Sequence, residues 1–496
     1  MYNKHLPAFP LRILRHAPFP VDIDRTTFIL CLTYLVIPNL IFALGYLNSC
    51  FALGFTGLLV FGCISILKDF LQEKPFSHLP LREHLWILTW TLILTIISGA
   101  GALLPQAWDY YKHNSIWEML IVRPWPVILF PGKPLVYYIG YYLPAAGAAK
   151  IFGLETLNVF AFIWQFSGIY LVLRLARCVF RRFCWYIPVC MLAVFPIDIF
   201  YSILKFGILE SRCYISNPHL YDLLFHFDAM TRAIRWVPQH FIPAFMVTVF
   251  LLNPKMKKYS VFWLAQLIIF SPFAVIGMLF LVGFHGCRLL YIGKISKMLN
   301  WVNTICGVIP AIAVMLYLLP AKTGDNLAIS GLIFQYATPK LLCLNYFVFL
   351  VNVFLIWYLI FLPDLFDRIR KKSFDVFFPL CILINVMFLM LFRMGQFDFP
   401  ARTLIPSHIL MMLWIVKRFI ASGKRMRLIM ILWFSLGLFC GAYDYCCMIK
   451  GMILHPQNKY YMQNEKFFES GLHCEQYIDS DEKLFYRIFS KKGKLF

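Results

Sequence analysis

Apolar runs near 20 residues recur along the whole length of this chain, and that pattern leaves few folds open. A bilayer's hydrocarbon core is about 30 Å thick and takes about 20 apolar helical residues to cross. Backbone groups find no water there, so each crossing segment satisfies its own hydrogen bonds as a helix. Composition agrees: 61% of the 496 residues are hydrophobic and 14% are charged, whereas a soluble domain is ~25% charged. The expected fold is all-α, a polytopic helical membrane protein. Its first apolar run, from Phe28, follows a basic stretch with no small-residue cleavage site. It reads as an anchored span rather than a removed signal peptide.

The net charge of +22 does not point to nucleic acid. Lys and Arg fall in short loops between spans on one side, the positive-inside pattern. A nucleic-acid surface would need a continuous basic stripe on a folded domain. Most of the fifteen cysteines lie within apolar runs, where they act as small hydrophobes.

Charge bias gives one threading. Segment 1–27, with Lys4, Arg12, Arg15 and Arg25, is expected in the cytoplasm. Spans follow near 28–47, 50–67 and 85–104, the third leading out to a loop at 105–156. Residues 134–152 are expected to lie at the interface, because crossing there would strand Arg174–Arg182 on the wrong face. Further spans are expected near 157–174, 183–203 and 237–253, then a tight pair at 260–288 turning at Ser271-Pro272. The rest lie near 299–320, 341–362, 374–393, 403–420 and 427–446. The transmembrane domain, 28–446, thus holds about thirteen spans, with the polar tail 447–496 outside the cytoplasm.

Candidate chemistry gathers at the outer ends of these spans. Asp109 reads as a general base for a hydroxyl, or as a solvated loop acid or helix cap. Lys133, beside the rigid Pro134, is placed to bind a phosphate or to snorkel at the interface. Lys112 and His113 add charge in the same loop, and Tyr137 belongs to its aromatic segment; all three are candidate substrate contacts. Asp198, inside an apolar run, is either functional or paired with Arg212 or Arg235. Arg235, Gln239 and His240 enter the next span together, which suggests a cavity. Arg235 suits a phosphate; Gln239 and His240 suit sugar hydroxyls. Arg402, following Asp398, is either half of a salt-bridged turn or a ligand for a lipid phosphate.

The outer loop at 105–156 holds no Asp-x-Asp pair. No cofactor is implied, and a divalent metal stays an open alternative. Neither a Gly-rich nucleotide loop nor a soluble segment longer than ~50 residues is present, so there is no room for a nucleotide-binding domain. That points to a lipid-linked donor.

Three stretches resemble the first outer loop of the GT-C glycosyltransferases. They are Trp108-Asp109-Tyr110 after an outward span, Lys133-Pro134-Leu135-Val136-Tyr137-Tyr138, and a span closed by Arg174, Arg177, Arg181 and Arg182. That superfamily includes the protein O-mannosyltransferases and the aminoarabinose transferases, whose matching Lys-Pro-Pro-Leu segment carries one more proline. The resemblance covers 105–182 best, and 183–253 and 395–410 more weakly. It implies an inverting hexosyltransferase of the bacterial inner membrane, taking a sugar from polyprenyl phosphate on the outer face. The acceptor would be a cell-surface polysaccharide or a lipid-linked molecule, as in O-antigen and lipopolysaccharide modification. The O-antigen glucosyltransferases are similar in size and layout. It also implies Asp109 as base, Asp198 as a second acid, and Lys133, Arg235 and Arg402 at the departing phosphate. This chain differs in having two more spans before the loop acid and no large soluble outer segment. A flippase or polymerase of lipid-linked saccharide is the alternative. A flippase calls for charges buried at mid-span and repeat symmetry between halves, and the sequence shows neither.

Overall fold

The computed structural model describes residues 21–72, 79–104, 106, 109–130, 133–194, 230–319, 331–335, 338–340, 342–343, 346–347, 377–393, 398–454 and 484–491. They are mostly helical. In chain order come α1 (Arg25–Tyr46), α2 (Ser49–Leu71), α3 (Leu81–Ser98), α4 (Tyr110–Val122), α5 (Leu143–Phe152), α6 (Leu157–Phe180) and α7 (Tyr186–Leu192). Then follow α8 (Met230–Trp236), α9 (Pro238–Leu252), α10 (Ser260–Ile268), α11 (Pro272–Tyr291) and α12 (Val308–Leu318). Last come α13 (Phe377–Leu389), α14 (Asp398–Thr403), α15 (Ile405–Ala421), α16 (Lys424–Leu454) and α17 (Leu484–Ile488). Strands β1 (Ile128–Phe130) and β2 (Lys133–Pro134) form a short antiparallel ribbon between α4 and α5.

Among the described residues, four helices are long and apolar enough to cross a membrane: α1, α2, α6 with the turn leading into it, and α11. At 22 residues, α1 is about 33 Å long. Its start is fixed by Asp24, whose carboxylate accepts the Thr27 N–H at 2.9 Å, one of the donors a helix leaves unpaired. Farther along, the Asn39 amide donates to the carbonyls of Leu35 and Gln266, tying α1 to α10.

Some elements differ from the sequence-based expectation. At ten residues, α5 spans about 15 Å and does not cross, as expected for 134–152, but its Leu143, Ala145, Ala146 and Ala149 are buried against the protein. The expected pair at 260–288 is unequal. With nine residues, α10 reaches only about 14 Å and is buried on nearly every side, while α11 is full length. The helix of the last expected span, α16, runs on to Leu454, past the expected boundary at 446. The expected fifth span is described only through Val194, and most of the span expected at 341–362 lies outside the described residues.

Ion pairs define one end of the bundle. Asp24 at the start of α1 meets Arg174 near the end of α6 at 2.8 Å, and Glu83 at the start of α3 meets Arg177 at 3.0 Å. Asp69 at the end of α2 pairs with Lys258 and Tyr259. Of the four arginines expected to close the span, Arg174 and Arg177 are buried inside α6 and held by acids, while Arg181 and Arg182 lie past its end and are exposed. The α1–α2 turn, α4, the ribbon, α5 and the start of α9 gather at the opposite end. Lys133→Cys and Lys255→Cys, both exposed positions, should therefore react with an impermeant maleimide from opposite faces of a vesicle in a cysteine-depleted background. Labelling of both from one face would contradict this arrangement.

Candidate functional site

The site is built on α4, which starts one residue after Asp109. The Asp109 carboxylate caps no helix N–H. Instead Lys112 Nζ stands 3.5 Å from its Oδ2, with the Asp109 side chain 18% exposed. Of the three readings the sequence left, base, solvated loop acid and helix cap, the side-chain cap is therefore not the one adopted. A charge pair, still open to solvent, occupies the place.

His113 points inward and is buried. Its Nε2 lies 3.2 Å from the carbonyl of Trp236, which can only accept, so Nε2 carries the proton. Nδ1 then accepts from the Tyr142 hydroxyl. Burial, with the nearby charge of Lys112 second, holds this imidazole well below its ordinary range and keeps it neutral. Both ring nitrogens are used inside the protein, tying α4 to α5 and to the α8–α9 junction.

Gln239 and His240 lie in the first turn of α9, after Pro238. Both are fully buried. His240 Nδ1 is 2.7 Å from Ser271 Oγ. That oxygen caps α11 by accepting the Ala274 N–H at 3.0 Å, and its own O–H is left for Nδ1. The assignment puts the imidazole proton on Nε2, which has no hydrogen-bond partner among the described residues. Both amide atoms of Gln239 are likewise without one. Buried polar groups are nearly always satisfied, so these unpartnered atoms on two successive residues leave hydrogen-bonding capacity for another molecule.

Arg402 closes the cluster from α14. Its Nη1 donates to the Tyr138 hydroxyl at 2.8 Å, and its guanidinium lies 5.9 Å from the centre of the Phe273 ring. The Tyr138 ring packs against Tyr137 at 3.7 Å and His240 at 4.8 Å. Two close approaches set this geometry. Gly140 donates its N–H to the Ile269 carbonyl at 2.9 Å. At Gly277 a Cβ would sit 1.8 Å from the Thr403 carbonyl oxygen, so only glycine lets α11 approach the segment carrying Arg402. Lys112 and Arg402 both act electrostatically on His113 and His240.

Residues singled out in four separate sequence segments therefore meet: Asp109, Lys112 and His113; Tyr137; Gln239 and His240; and Arg402. Others do not join them. Lys133 is exposed at the ribbon, where its backbone pairs with Phe130 and its side chain makes no hydrogen bond or ion pair among the described residues. Arg235 is buried in α8, one residue before the carbonyl that holds His113. Asp198 lies outside the described residues, as does the side chain of Asp398. Tyr138, Tyr142, Ser271 and Phe273 were not legible as site residues. A run of tyrosines does not disclose which one faces Arg402. Ser271-Pro272 before an apolar run is, however, a helix-start signature, and it was read only as a turn.

Among the described residues no group of three or more His, Cys, Asp or Glu side chains is placed to hold a metal. Comparison with protein-family models, curated proteins and solved structures gives no match to this chain, so no relative assigns a role to these side chains.

Proposed function

We propose that this chain is an inverting GT-C-type glycosyltransferase of the bacterial inner membrane. It moves a sugar from polyprenyl phosphate to a surface polysaccharide or lipid-linked acceptor on the outer face. The supporting observation is that Arg402 and the His240 ring, with its unpartnered Nε2–H, meet at Tyr138, while Lys112 acts electrostatically on His240 and pairs with the Asp109 carboxylate at 3.5 Å. A lipid phosphate needs donors and positive charge, and an acceptor hydroxyl needs a carboxylate. In this reading the acceptor O–H passes its proton to Asp109 as its oxygen bonds to the anomeric carbon. The bond from that carbon to the phosphate oxygen breaks, and the electron pair leaves with the phosphate. Arg402 and Lys112 stabilise the departing charge, the role positioned cations play in such sites. Gln239, His240 and Tyr137 face the sugar, Lys133 and Arg235 are kept as phosphate ligands that come to the donor from outside this cluster, and Asp198 is kept as a second acid. The proposal includes about thirteen spans, with the N-terminus in the cytoplasm and the C-terminal tail outside it.

A flippase is the weaker reading. Charged side chains in the described spans lie toward their ends, as with Arg25 in α1, Lys68 and Asp69 in α2, and Arg288 in α11. Transport through the middle of the membrane would call for them there.

Arg402→Lys tests the phosphate contact. It keeps the charge and loses the planar fork. The KM for the lipid donor should rise about 10- to 100-fold, the range for losing a hydrogen bond to a charged group. A change within twofold would remove Arg402 from the donor site. Comparing the sugar composition of surface polysaccharide with and without the gene tests the acceptor.

A further inference from the structure

The segment 484–491 is docked, and its docking leads to the candidate site. An antiparallel bridge joins Ser490 to Leu47 in the α1–α2 turn. The Asn48 N–H donates to the Phe489 carbonyl at 2.8 Å, and the Asn48 amide donates to that of Ile488 at 3.1 Å. The Lys491 N–H donates to the Tyr46 carbonyl at 2.9 Å. These bonds press Phe485 of α17 fully into the protein. Its ring meets the edge of Tyr317 at 5.3 Å and lies 6.0 Å from Phe42.

Tyr317, in α12, is itself buried and carries the contact onward. Its hydroxyl accepts the Tyr137 N–H at 3.3 Å and donates to the Leu135 carbonyl at 3.2 Å. One side chain thus holds the backbone on both sides of Val136. The next residue, Tyr138, receives the Arg402 guanidinium. The links run from Phe485 to Tyr317, to the backbone of 135–137, to Tyr138 and to Arg402.

We infer that Tyr317 is a positioning residue for the donor site, and that segment 484–491 is the brace that holds Tyr317 in place. This rests on the donor reading given above. The backbone at 135–138 has no helix of its own to fix it, since the next element begins only at Ile139. A rigid tyrosine hydroxyl with two backbone partners supplies the missing constraint, and the brace keeps that tyrosine from turning away. Neither Tyr317 nor Phe485 touches substrate in this account.

The experiment uses the full chain in lipid nanodiscs, with polyprenyl phosphate as the probe. Tyr317→Phe keeps the ring packing and removes the hydroxyl; Phe485→Ala removes the wedge. Two quantities are read: amide exchange at Leu135–Tyr138 and the Kd for polyprenyl phosphate. Exchange at the Tyr137 N–H should rise in both variants, and Kd should weaken by about five- to tenfold, as for a lost neutral hydrogen bond. In a Tyr138→Phe background, Tyr317→Phe should add little, because the two act through one contact. Additive losses there would reduce Tyr317 to a general packing residue. Raised exchange with unchanged Kd, or no change in either, would overturn the positioning role. Should Phe485→Ala fail to fold, Tyr317→Phe alone decides. A wild-type protein that binds no polyprenyl phosphate, with exchange rising as expected, would overturn the donor reading and leave the brace standing.

Discussion

Asp109→Asn is expected to cut sugar transfer by ~10²–10⁴-fold, the usual contribution of a general base, with insertion and expression unchanged. The amide matches the carboxylate in shape but cannot take the acceptor's proton. Stability should fall as well, by up to about 3–5 kcal/mol, because the Lys112 charge 3.5 Å away is left unpaired with the two side chains only 11% and 18% exposed. The loss of transfer is therefore read per folded protein, where a merely structural acid would leave the rate unchanged. Initial rates in membrane vesicles, beside thermal unfolding in detergent, read both. Activity within a few-fold of wild type would make Asp109 a loop acid and shift the base to Asp198. Activity in both single variants would remove the acid–base mechanism.

The second large effect is on the fold. Asp24→Ala should destabilise the protein by about 3–5 kcal/mol, the cost of leaving a buried charge unpaired. Arg174 is held by three hydrogen bonds in the native protein, donating to Asp24 at 2.8 Å, Thr27 Oγ1 at 2.9 Å and Tyr170 at 3.0 Å. Removing the acid strands the guanidinium between α1 and α6 and also deletes the cap of α1. The double variant Asp24→Asn with Arg174→Met should be milder, because it leaves no orphaned charge and keeps a capping side chain. A double variant as damaging as Asp24→Ala would deny that the unpaired arginine causes the loss. The pH dependence has a fixed sign. Burial pushes the Asp24 carboxyl up, but the Thr27 hydrogen bonds and the Arg174 charge outweigh it and hold it below its ordinary 3.8. This stabilisation is full above the unfolded value and is lost as pH falls through the lowered folded one. It should therefore be constant from neutral pH down to about pH 5.

The helices that meet lipid were the legible part of the fold. Long apolar runs in α1, α2, α6 and α11 carry their own signal, because lipid sets their length. Charge bias also placed Arg174 and Arg177 at the same end as the start of α1. It could not show that they are buried and matched by Asp24 and Glu83, since those partners are 150 and 94 residues away. The short helix α10 was read as a span because burial against protein and burial in lipid leave the same apolar composition. In the site, Gln239, His240 and Arg402 stood out as polar residues entering apolar runs. Tyr138 and Tyr317 did not: a tyrosine at an interface is ordinary, and only the fold shows which hydroxyl holds Arg402 and which holds the backbone beside it.

The central claim is that the sugar comes from a polyprenyl-phosphate carrier. The direct measurement is transfer by the purified protein in liposomes, offered either the polyprenyl-phosphate sugar or the matching nucleotide sugar with no lipid carrier. Transfer from the lipid donor alone, lost in Asp109→Asn, is the expected result. Efficient transfer from the nucleotide sugar would contradict it, as would movement of intact lipid-linked saccharide across the bilayer without transfer from either donor.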